Sequence, residues 1–370
     1  MTTGGPLHEL YLTRPDGTRI SLIDTAQRFE YTRVLNDAGT FMLVLPGDFD
    51  DTFLQDSYRV EFWYKPEGGV IYLDFLGFIH KPEYTTDEQG RANIIVTGHD
   101  PIGLLKRRTV TYDSGTAQAK KSGAADDVMK EIVDENFSGS ATDTDRQIST
   151  DYLTIAGDFS LGPTVSKSFA RRNVLAVLRE IGADAFENDT PVYFDLAYIS
   201  KNELQFQTFI NQLGRDQRFA SGSGLVFSPE RGNLRVPVYS LDYSDEVNFS
   251  YVGGQGQGTD RQIVEREDTT RTGRNIWARR EKFTDQRNTN NTASLNSEGD
   301  SALREGIPRK RFSGELVSTD ETQYGRDWNF GDRVSAEAYG RIFDGVVRAV
   351  TVTRDGMGYV TINARIEVEE

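Results

Sequence analysis

Only three histidines occur in the chain, His8, His80 and His99, and no two stand at the HExxH or HxH spacing that puts a pair of imidazoles on one metal ion. There is no cysteine, which excludes thiolate nucleophiles, disulfides, iron-sulfur clusters and cysteine-bound zinc. No GxSxG elbow is present to hold a serine above a sheet, so triad hydrolysis has no local support. Paired carboxylates remain, because two Asp or Glu residues can act as acid and base on a glycosidic bond. The candidates are Asp48-Phe49-Asp50-Asp51, Asp126-Asp127 and Asp143-Thr144-Asp145. The last begins like a calcium loop but carries Gln147 and Ile148 where an oxygen ligand and a glycine are required. With 57 acidic residues chance pairs are plentiful, and each cluster reads first as a solvated turn or a helix start.

The run Gly253-Gly254-Gln255-Gly256-Gln257-Gly258 offers flexible backbone amides of the kind that cradle phosphate. It fails both phosphate fingerprints. Thr259 stands at the last glycine of the dinucleotide pattern read from Gly254, and it also replaces the lysine that follows Gly258 in a P-loop. A hairpin, or a close backbone approach between Phe249-Ser250-Tyr251-Val252 and the next strand, explains these glycines more simply. Just beyond, residues 261–311 hold twelve Lys or Arg against eight Asp or Glu, a net of +4 that leaves −19 on the remainder. Acids alternate with the bases (Arg261, Glu265, Arg266, Glu267, Asp268), and only Trp277 and Phe283 could stack on a nucleobase. Ion pairs within or between subunits therefore account for the segment better than polyanion binding. Gly253, Gly254, Gly256, Gly258, Arg261, Arg279 and Arg280 are expected as structural or interface residues.

The elements that position these residues are mostly strands. Pro15-Asp16-Gly17 separates apolar residues 10–12 from 20–22, as a hairpin requires. Strands over 41–45, 58–64, 70–79 and 92–97 follow, the last after the turn Asp87-Glu88-Gln89-Gly90. Tyr58, Val60, Phe62 and Tyr64 share one face while Arg59 and Glu61 share the other, which predicts one packed and one wet face. Residues 124–136 place Val128, Ile132 and Val133 at helical spacing, and Ser168 reads as the cap of a second helix carrying Val174, Leu178, Ile181 and Ala185. Residues 138–151 read as an exposed connection, and strands resume at 192–196, 204–209, 224–227 and 235–239. Residues 284–301 form a polar interval read as a long loop, ending in a short helical turn over 301–305. At the end of the chain Val360, Ile362, Ala364, Ile366 and Val368 alternate with Thr361, Asn363, Arg365 and Glu367, a half-buried strand. It can pair with 346–352 through Asp355-Gly356-Met357-Gly358, and 333–338 supplies another strand.

A length of 370 residues and 41.5 kDa calls for more than one core. With 37% hydrophobic residues, 27% charged residues and a mean hydropathy of −0.54, the composition is that of a soluble globular chain. The net charge of −15 opposes non-specific binding to nucleic acid or anionic lipid. No stretch reaches the ~20 apolar residues of a membrane span, and Met1-Thr2-Thr3-Gly4-Gly5-Pro6 has no leader pattern, so synthesis in the cytosol is expected. The expected fold is a β-rich α+β chain with two small β-barrel domains, the first readable from its strands as a barrel or a sandwich, and a helix-containing middle α+β domain. The divisions are 1–110 for an N-terminal barrel, 111–220 for the α+β domain, 221–305 for a β-rich connecting segment with the polar loop, and 306–370 for a C-terminal small barrel.

Several segments stand in an order similar to one family. They are Val96-Thr97-Gly98-His99-Asp100-Pro101-Ile102-Gly103-Leu104-Leu105-Lys106-Arg107-Arg108, Arg171-Arg172-Asn173-Val174-Leu175 and Val192-Tyr193-Phe194-Asp195. Gly214-Arg215-Asp216-Gln217-Arg218, Tyr251-Val252-Gly253-Gly254-Gln255-Gly256 and Arg279-Arg280-Glu281-Lys282-Phe283-Thr284-Asp285-Gln286-Arg287 follow. Phe330-Gly331-Asp332-Arg333-Val334, running on to Ile366, completes the set. Together they resemble the hub (tail-associated) proteins of the tail tip or baseplate in long-tailed bacteriophages. The resemblance implies a structural virion protein without catalytic, cofactor or metal residues. It implies a homotrimer with pseudo-sixfold symmetry beneath a hexameric tail tube, joining the distal tail protein, the tape-measure protein and tip or receptor-binding proteins. Such a hub is assembled in the host cytoplasm, resides in the virion, and lets phage DNA pass without specific binding. An acidic lumen that repels phosphate would suit that passage. Larger members end in a lysin or receptor-binding extension; here the sequence stops at Glu370, so such an activity is expected on another polypeptide. Two other readings are carried: a cell-wall glycan-acting enzyme or carbohydrate-binding tail module using Asp126 and Asp127, and nucleic-acid binding through 261–311.

Overall fold

Gly17, at φ +79°, turns β1 (Leu7–Thr13) into β2 (Arg19–Leu22), and a Cβ at this position would collide with the Lys201 carbonyl. The computed structural model of the protein describes residues 7–112, 116–188, 190–223, 225–317, 319 and 321–368. From β1 the chain continues through β3 (Arg28–Val34), β4 (Thr40–Pro46), β5 (Arg59–Lys65), β6 (Tyr72–Thr86) and β7 (Ala92–His99), all paired antiparallel in the order β3-β4-β7-β6-β5-β1-β2. Phe29 on β3 meets Phe62 on β5 at 5.6 Å between ring centroids, and Tyr31 stacks on Phe75 at 5.1 Å. Because β4, β7 and β6 lie between β3 and β5, these contacts require the sheet to curl over its own aromatic core. Strand β3 was not anticipated, although Phe29 and Tyr31 alternating with Arg28, Glu30 and Thr32 mark it.

The face of β5 expected to be wet is buried: Arg59 is 4% exposed and Glu61 1%. Arg59 donates to the Pro15 carbonyl and, at 3.1 Å, to the Lys201 carbonyl. Glu61 accepts from Arg19 at 2.9 Å and from Trp63 Nε1 at 2.8 Å. Charged groups tolerate such burial only when partnered in this way. Alternation reports which residues share a face; what covers that face is tertiary.

The middle of the chain forms β8 (Ala119–Ala124), α1 (Ala125–Phe137), β9 (Leu153–Ile155), β10 (Thr164–Phe169), α2 (Val174–Glu187), β11 (Val192–Tyr198) and β12 (Leu204–Ile210). Strand β8 pairs with β10, and β12 lies between β11 and the parallel β9. Val128, Ile132 and Val133 from α1 join Val174, Leu178, Ile181 and Ala185 from α2 in one buried cluster. Each of the larger aliphatic side chains contributes roughly 1.5–3 kcal/mol on burial. Ser168 caps nothing, because it lies in β10; Asn173 caps α2, accepting from the Ala176 amide and donating to the Lys106 carbonyl at 2.7 Å. The stretch 138–151 is less exposed than expected, with Ser138 and Ala141 buried and a 3-10 turn at Thr144–Arg146.

Next come β13 (Asp216–Gln217), β14 (Val226–Phe227) and β15 (Leu234–Asp242). Gly224, the expected strand start, and the opening residues 1–6 lie outside the described residues. The chain divides into two compact units, Met1–Pro237 with Ser313–Glu369 and an inserted Val238–Phe312. The inserted unit contains β16 (Phe249–Gly253), β17 (Ile263–Glu267), a short α3 (Thr269–Thr272), β18 (Glu281–Asp285) and α4 (Thr292–Glu305). Helix α4 corrects the expected loop and short turn. Asn291 accepts from the Ala293 and Ser294 amides to start it, and Leu295, Gly299 and Ala302 form its buried stripe, too sparse among Ser, Asn and Thr to register as periodic.

The first unit resumes with β19 (Arg309–Leu316), β20 (Arg333–Ala338), β21 (Arg341–Arg354) and β22 (Val360–Val368), and the last two pair through the expected Asp355-Gly356-Met357-Gly358 turn. Strand β21 serves two partners. Residues 341–346 pair with β20, and 349–354 pair antiparallel with β3. The register shifts between Val347 and Ala349, and the carbonyl of Arg348 in that bulge accepts from the Leu35 amide at 2.8 Å. The result is one sheet in the order β15-β19-β22-β21-β3-β4-β7-β6-β5-β1-β2, with β20 branching from β21 and carrying β13 and β14. The fold is β-rich with few helices, and among the described residues no strand pairing closes the sheet into a barrel. Closure depends on tilt and shear, which a period of two in the sequence does not encode.

Asp74, the extra residue of β6 where its register against β5 shifts, has no exposed side-chain surface and accepts from Tyr31 Oη at 2.6 Å and Tyr324 Oη at 2.7 Å, with Arg33 at 3.6 Å. Burial pushes its carboxyl up and the Arg33 guanidinium opposes that shift. Tyr324 stacks on Tyr64 at 5.9 Å and meets Trp328 edge-on at 5.0 Å, so the segment before β20 is pinned to the N-terminal strands. Asp74→Ala should cost about 3–5 kcal/mol in urea unfolding, because two hydroxyls and a guanidinium lose their acceptor. A loss under about 1 kcal/mol would remove that role. His8 stacks on Tyr64 at 4.7 Å with no partner for Nε2, and burial lowers its pKa from 6.5 to about 3. The unfolded chain therefore protonates first, and stability present above pH 6.5 is lost as pH falls toward 3. His8→Phe should retain about 2 kcal/mol more of its neutral-pH stability at about pH 4.5 than the parent chain; equal losses in urea titrations at both pH values would contradict this.

Candidate functional site

The residues singled out from the sequence converge on the three-stranded sheet of the inserted unit, in which β16 lies between the antiparallel β17 and the parallel β18. Helix α4 covers the face carrying Val252, where a Cβ on Gly299 would press on Val252 and Arg266. The registers set three rows on the opposite face: Ile263, Gly253 and Asp285; Glu265, Tyr251 and Phe283; Glu267, Phe249 and Glu281. An aromatic centre is thus bordered by carboxylates on both edge strands.

Two arginines clamp the ends of this face. Arg261 returns from the glycine loop to donate to the Gly253 carbonyl at 2.8 Å and the Gly254 carbonyl at 3.0 Å, pairs with Asp285, and lies 5.3 Å from the centroid of Phe283. Gly253 is needed for packing, since a Cβ there would come within 2.7 Å of both Arg261 and Phe283. Gly256 is needed for its backbone, at φ +113°. Gly254 faces Leu295 of α4, and Gly258 begins the 3-10 turn Gly258–Asp260. At the other end Arg279 sits 3.6 Å over Phe249 and donates to Glu281 at 2.6 Å and to Tyr251 Oη at 3.1 Å.

Arg280 points elsewhere. Its amide donates to Asn248 Oδ1 at 2.7 Å, and its guanidinium reaches the Tyr243 carbonyl and Glu246. Glu246 is the missed residue of the site: its side chain is 1% exposed and three guanidiniums converge on it, from Arg274, Arg271 at 3.8 Å and Arg280 at 3.7 Å. Nothing local in the sequence distinguishes it from the other acids. Further pairs join Arg266 to Asp300, Arg271 to Asp268, Lys282 to Glu305 and Arg287 to Asp285. Much of the basic charge of 261–311 is therefore spent on neighbours within the unit.

The other candidates are scattered. Asp126 accepts from the Leu161 amide at 2.7 Å and pairs with Lys130 at 3.4 Å; Asp127 accepts from the Ser160 hydroxyl at 2.8 Å. Both carboxylates hold the 157–163 loop rather than face each other across a cleft. Asp50 and Asp143 start 3-10 turns, and Asp51 accepts from Tyr84. His80 and His99 are brought to 6.3 Å by the pairing of β6 with β7, beside Asp56 and Arg107. Among the described residues no group of His, Asp or Glu is arranged to hold a metal ion, and no helix is long and apolar enough to cross a membrane.

The sequence family described as Siphovirus ReqiPepy6 Gp37-like protein matches residues 9–366. No curated protein matches the chain. Among solved structures, the tail protein from Neisseria meningitidis MC58 is similar with a TM-score of 0.60 and 15% identity, over 99% of this chain and 97% of that one. The 43 kDa tail protein of prophage MuSo2 from Shewanella oneidensis gives 0.59 and 10%, over 97% and 98%. Prophage tail protein gp18 from Listeria monocytogenes EGD-e gives 0.51 and 10%, over 97% and 94%. At these identities the likeness is one of fold, and it extends over nearly the whole of each chain.

Glu246→Gln should destabilise the inserted unit by about 2–3 kcal/mol, because three guanidiniums lose their shared counter-charge. The exposed Glu265→Gln should be nearly neutral. Amide exchange within 238–312 tests this, and equal protection in the two variants would contradict it.

Proposed function

Since the chain belongs to the Siphovirus ReqiPepy6 Gp37-like family, and its fold is that of phage tail proteins, we propose that it is a structural component of the virion tail, acting as a trimeric hub. In this reading it closes the distal end of the tail tube. It joins distal tail, tape-measure and tip or receptor-binding proteins, and lets DNA pass during ejection. It is assembled in the host cytoplasm and works by assembly, with no covalent step.

The pairing of β21 with β3 carries the reading. It splices the N-terminal and C-terminal strand groups into one wall, with Thr351 Oγ1 and Thr32 Oγ1 2.8 Å apart and Thr353 Oγ1 donating to Glu30 at 3.1 Å. In this reading, with the sheet left open as described, residues 1–110 and 306–370 act as two tube elements per copy, 111–220 as the peripheral α+β part and 221–305 as the connecting segment. Three copies give six such elements, matching a hexameric tube. Strand margins that would aggregate in a free molecule become ring contacts.

One face of the wall sets Thr32, Thr40, Thr97, Thr351, Thr353 and Asn363 in register beside Met42, Val44 and Ile95. Arg28, Lys81 and Arg365 are set there against Glu30 and Glu83. The charged positions named on this face are three bases against two acids, so the acidic lumen expected from the sequence does not follow from it, and the net charge of −15 lies mostly on other surfaces.

Native mass measurement should give three copies of the 41.5 kDa chain, and images of that species should show a ring with a central opening. A species that stays a single copy at micromolar concentration would overturn the trimeric hub.

A further inference from the structure

A cavity of about 120 Å³ lies in the larger unit where the first strands meet the middle of the chain. Its wall is made by Phe78 of β6, Leu105 of the 3-10 turn Pro101–Arg107, Phe137 at the end of α1, and Leu153, Leu196 and Leu204 of β9, β11 and β12. All six are buried. The lining reaches the surface at Pro15 and Tyr152, both exposed, and its only polar side chains are those of Arg59 and Tyr152. Such a space holds water poorly, because a water molecule needs about two to four polar partners.

Arg59 is the anomaly of this wall. It is 4% exposed, its guanidinium lies 5.1 Å from the centroid of Phe78, and its donors reach the neutral carbonyls of Pro15 and Lys201. Its Nε is buried without a partner. Glu61 and Asp16, whose charges it feels, are held by Arg19 and Trp63 and by the Thr18 amide, and among the described residues no carboxylate forms an ion pair with Arg59. A guanidinium stays charged in a protein, so the carbonyls take up hydrogen bonds but leave a buried cation uncompensated beside an apolar space. The two features call for one occupant, with an apolar body for the space and an anionic head for the cation. We propose that this cavity binds a short-chain aliphatic carboxylate, its alkyl part among the leucines and its carboxylate on Arg59. An apolar cavity of about 150 Å³ accepts benzene, so this one suits a molecule of about six heavy atoms, the size of butyrate. Because the wall draws on β6 as well as α1, β9, β11 and β12, the occupant ties the N-terminal strands to the α+β elements and stabilises that join by mass action.

Leucine-methyl spectra of the full chain, titrated with sodium butyrate against matched sodium chloride, test the site. The methyls of Leu105, Leu153, Leu196 and Leu204 should shift saturably. Methyl propionate, a neutral isomer of butyric acid, should bind about tenfold more weakly or worse, because it offers no charge to the guanidinium. Leu104→Trp, at a half-buried position of the same wall, should fill the space and abolish the response. Equal affinity for the two compounds would overturn the part given to Arg59. Lining methyls that do not respond to butyrate, or a response that survives Leu104→Trp, would overturn the site. None of these results bears on the ring, which the native mass decides separately.

Discussion

A single strand with a bulge at Arg348 carries the architecture of the larger unit. Strand β21 leaves β20 after residue 346 and takes up β3 from residue 349, so one continuous backbone belongs to two groups of strands. The extra residue is what lets this happen: it shifts the register, bends the strand, and frees a carbonyl for the Leu35 amide. Without the shift, the residues beyond it would present the other face to β3, and Val350 and Val352 would exchange places with Ala349, Thr351 and Thr353 between core and solvent. The Asp74 cluster reinforces the join, since its two tyrosine partners come from β3 and from the segment just before β20.

The inserted unit is organised by electrostatics to a greater degree. A small sheet with one long helix and one short one has little apolar volume, and its long connections are held by guanidiniums reaching across to carbonyls and carboxylates. Arg271 alone donates to the carbonyls of Val247, Leu303 and Gly306, within 3.0 Å of each. Arginine suits this work because its planar fork offers several donors in fixed directions at little further loss of freedom.

Much of the secondary structure was legible in the residues themselves. The hairpin at Gly17, the strands over 333–338 and 360–368 and the apolar spacing of both middle helices follow from turn chemistry and periodicity. What escaped were facts set by tertiary contact. Arg59 looks solvent-facing until the Pro15 and Lys201 carbonyls take it up, and Glu61 until Arg19 and Trp63 do, and α4 hides behind a polar sequence whose apolar stripe is only Leu295, Gly299 and Ala302 wide. The glycine run and Arg261 and Arg279 were visible as oddities of composition, and Gly253 of that run does share one sheet face with both arginines. Arg280 does not, and Glu246 was illegible, because one acid among 57 acquires its role only from the three cations folded around it.

The Tyr324 to Asp74 bond spans 250 positions, and the Thr32 to Thr351 contact spans 319. On the ribosome, the first strands emerge long before the segments that complete them. During that interval β3 has a vacant flank and Asp74 lacks an acceptor's full set of donors, so the amino-terminal sheet waits unfinished until the final stretch of polypeptide is released. A chain that lacks β21 consequently leaves the free margin of β3 unpaired.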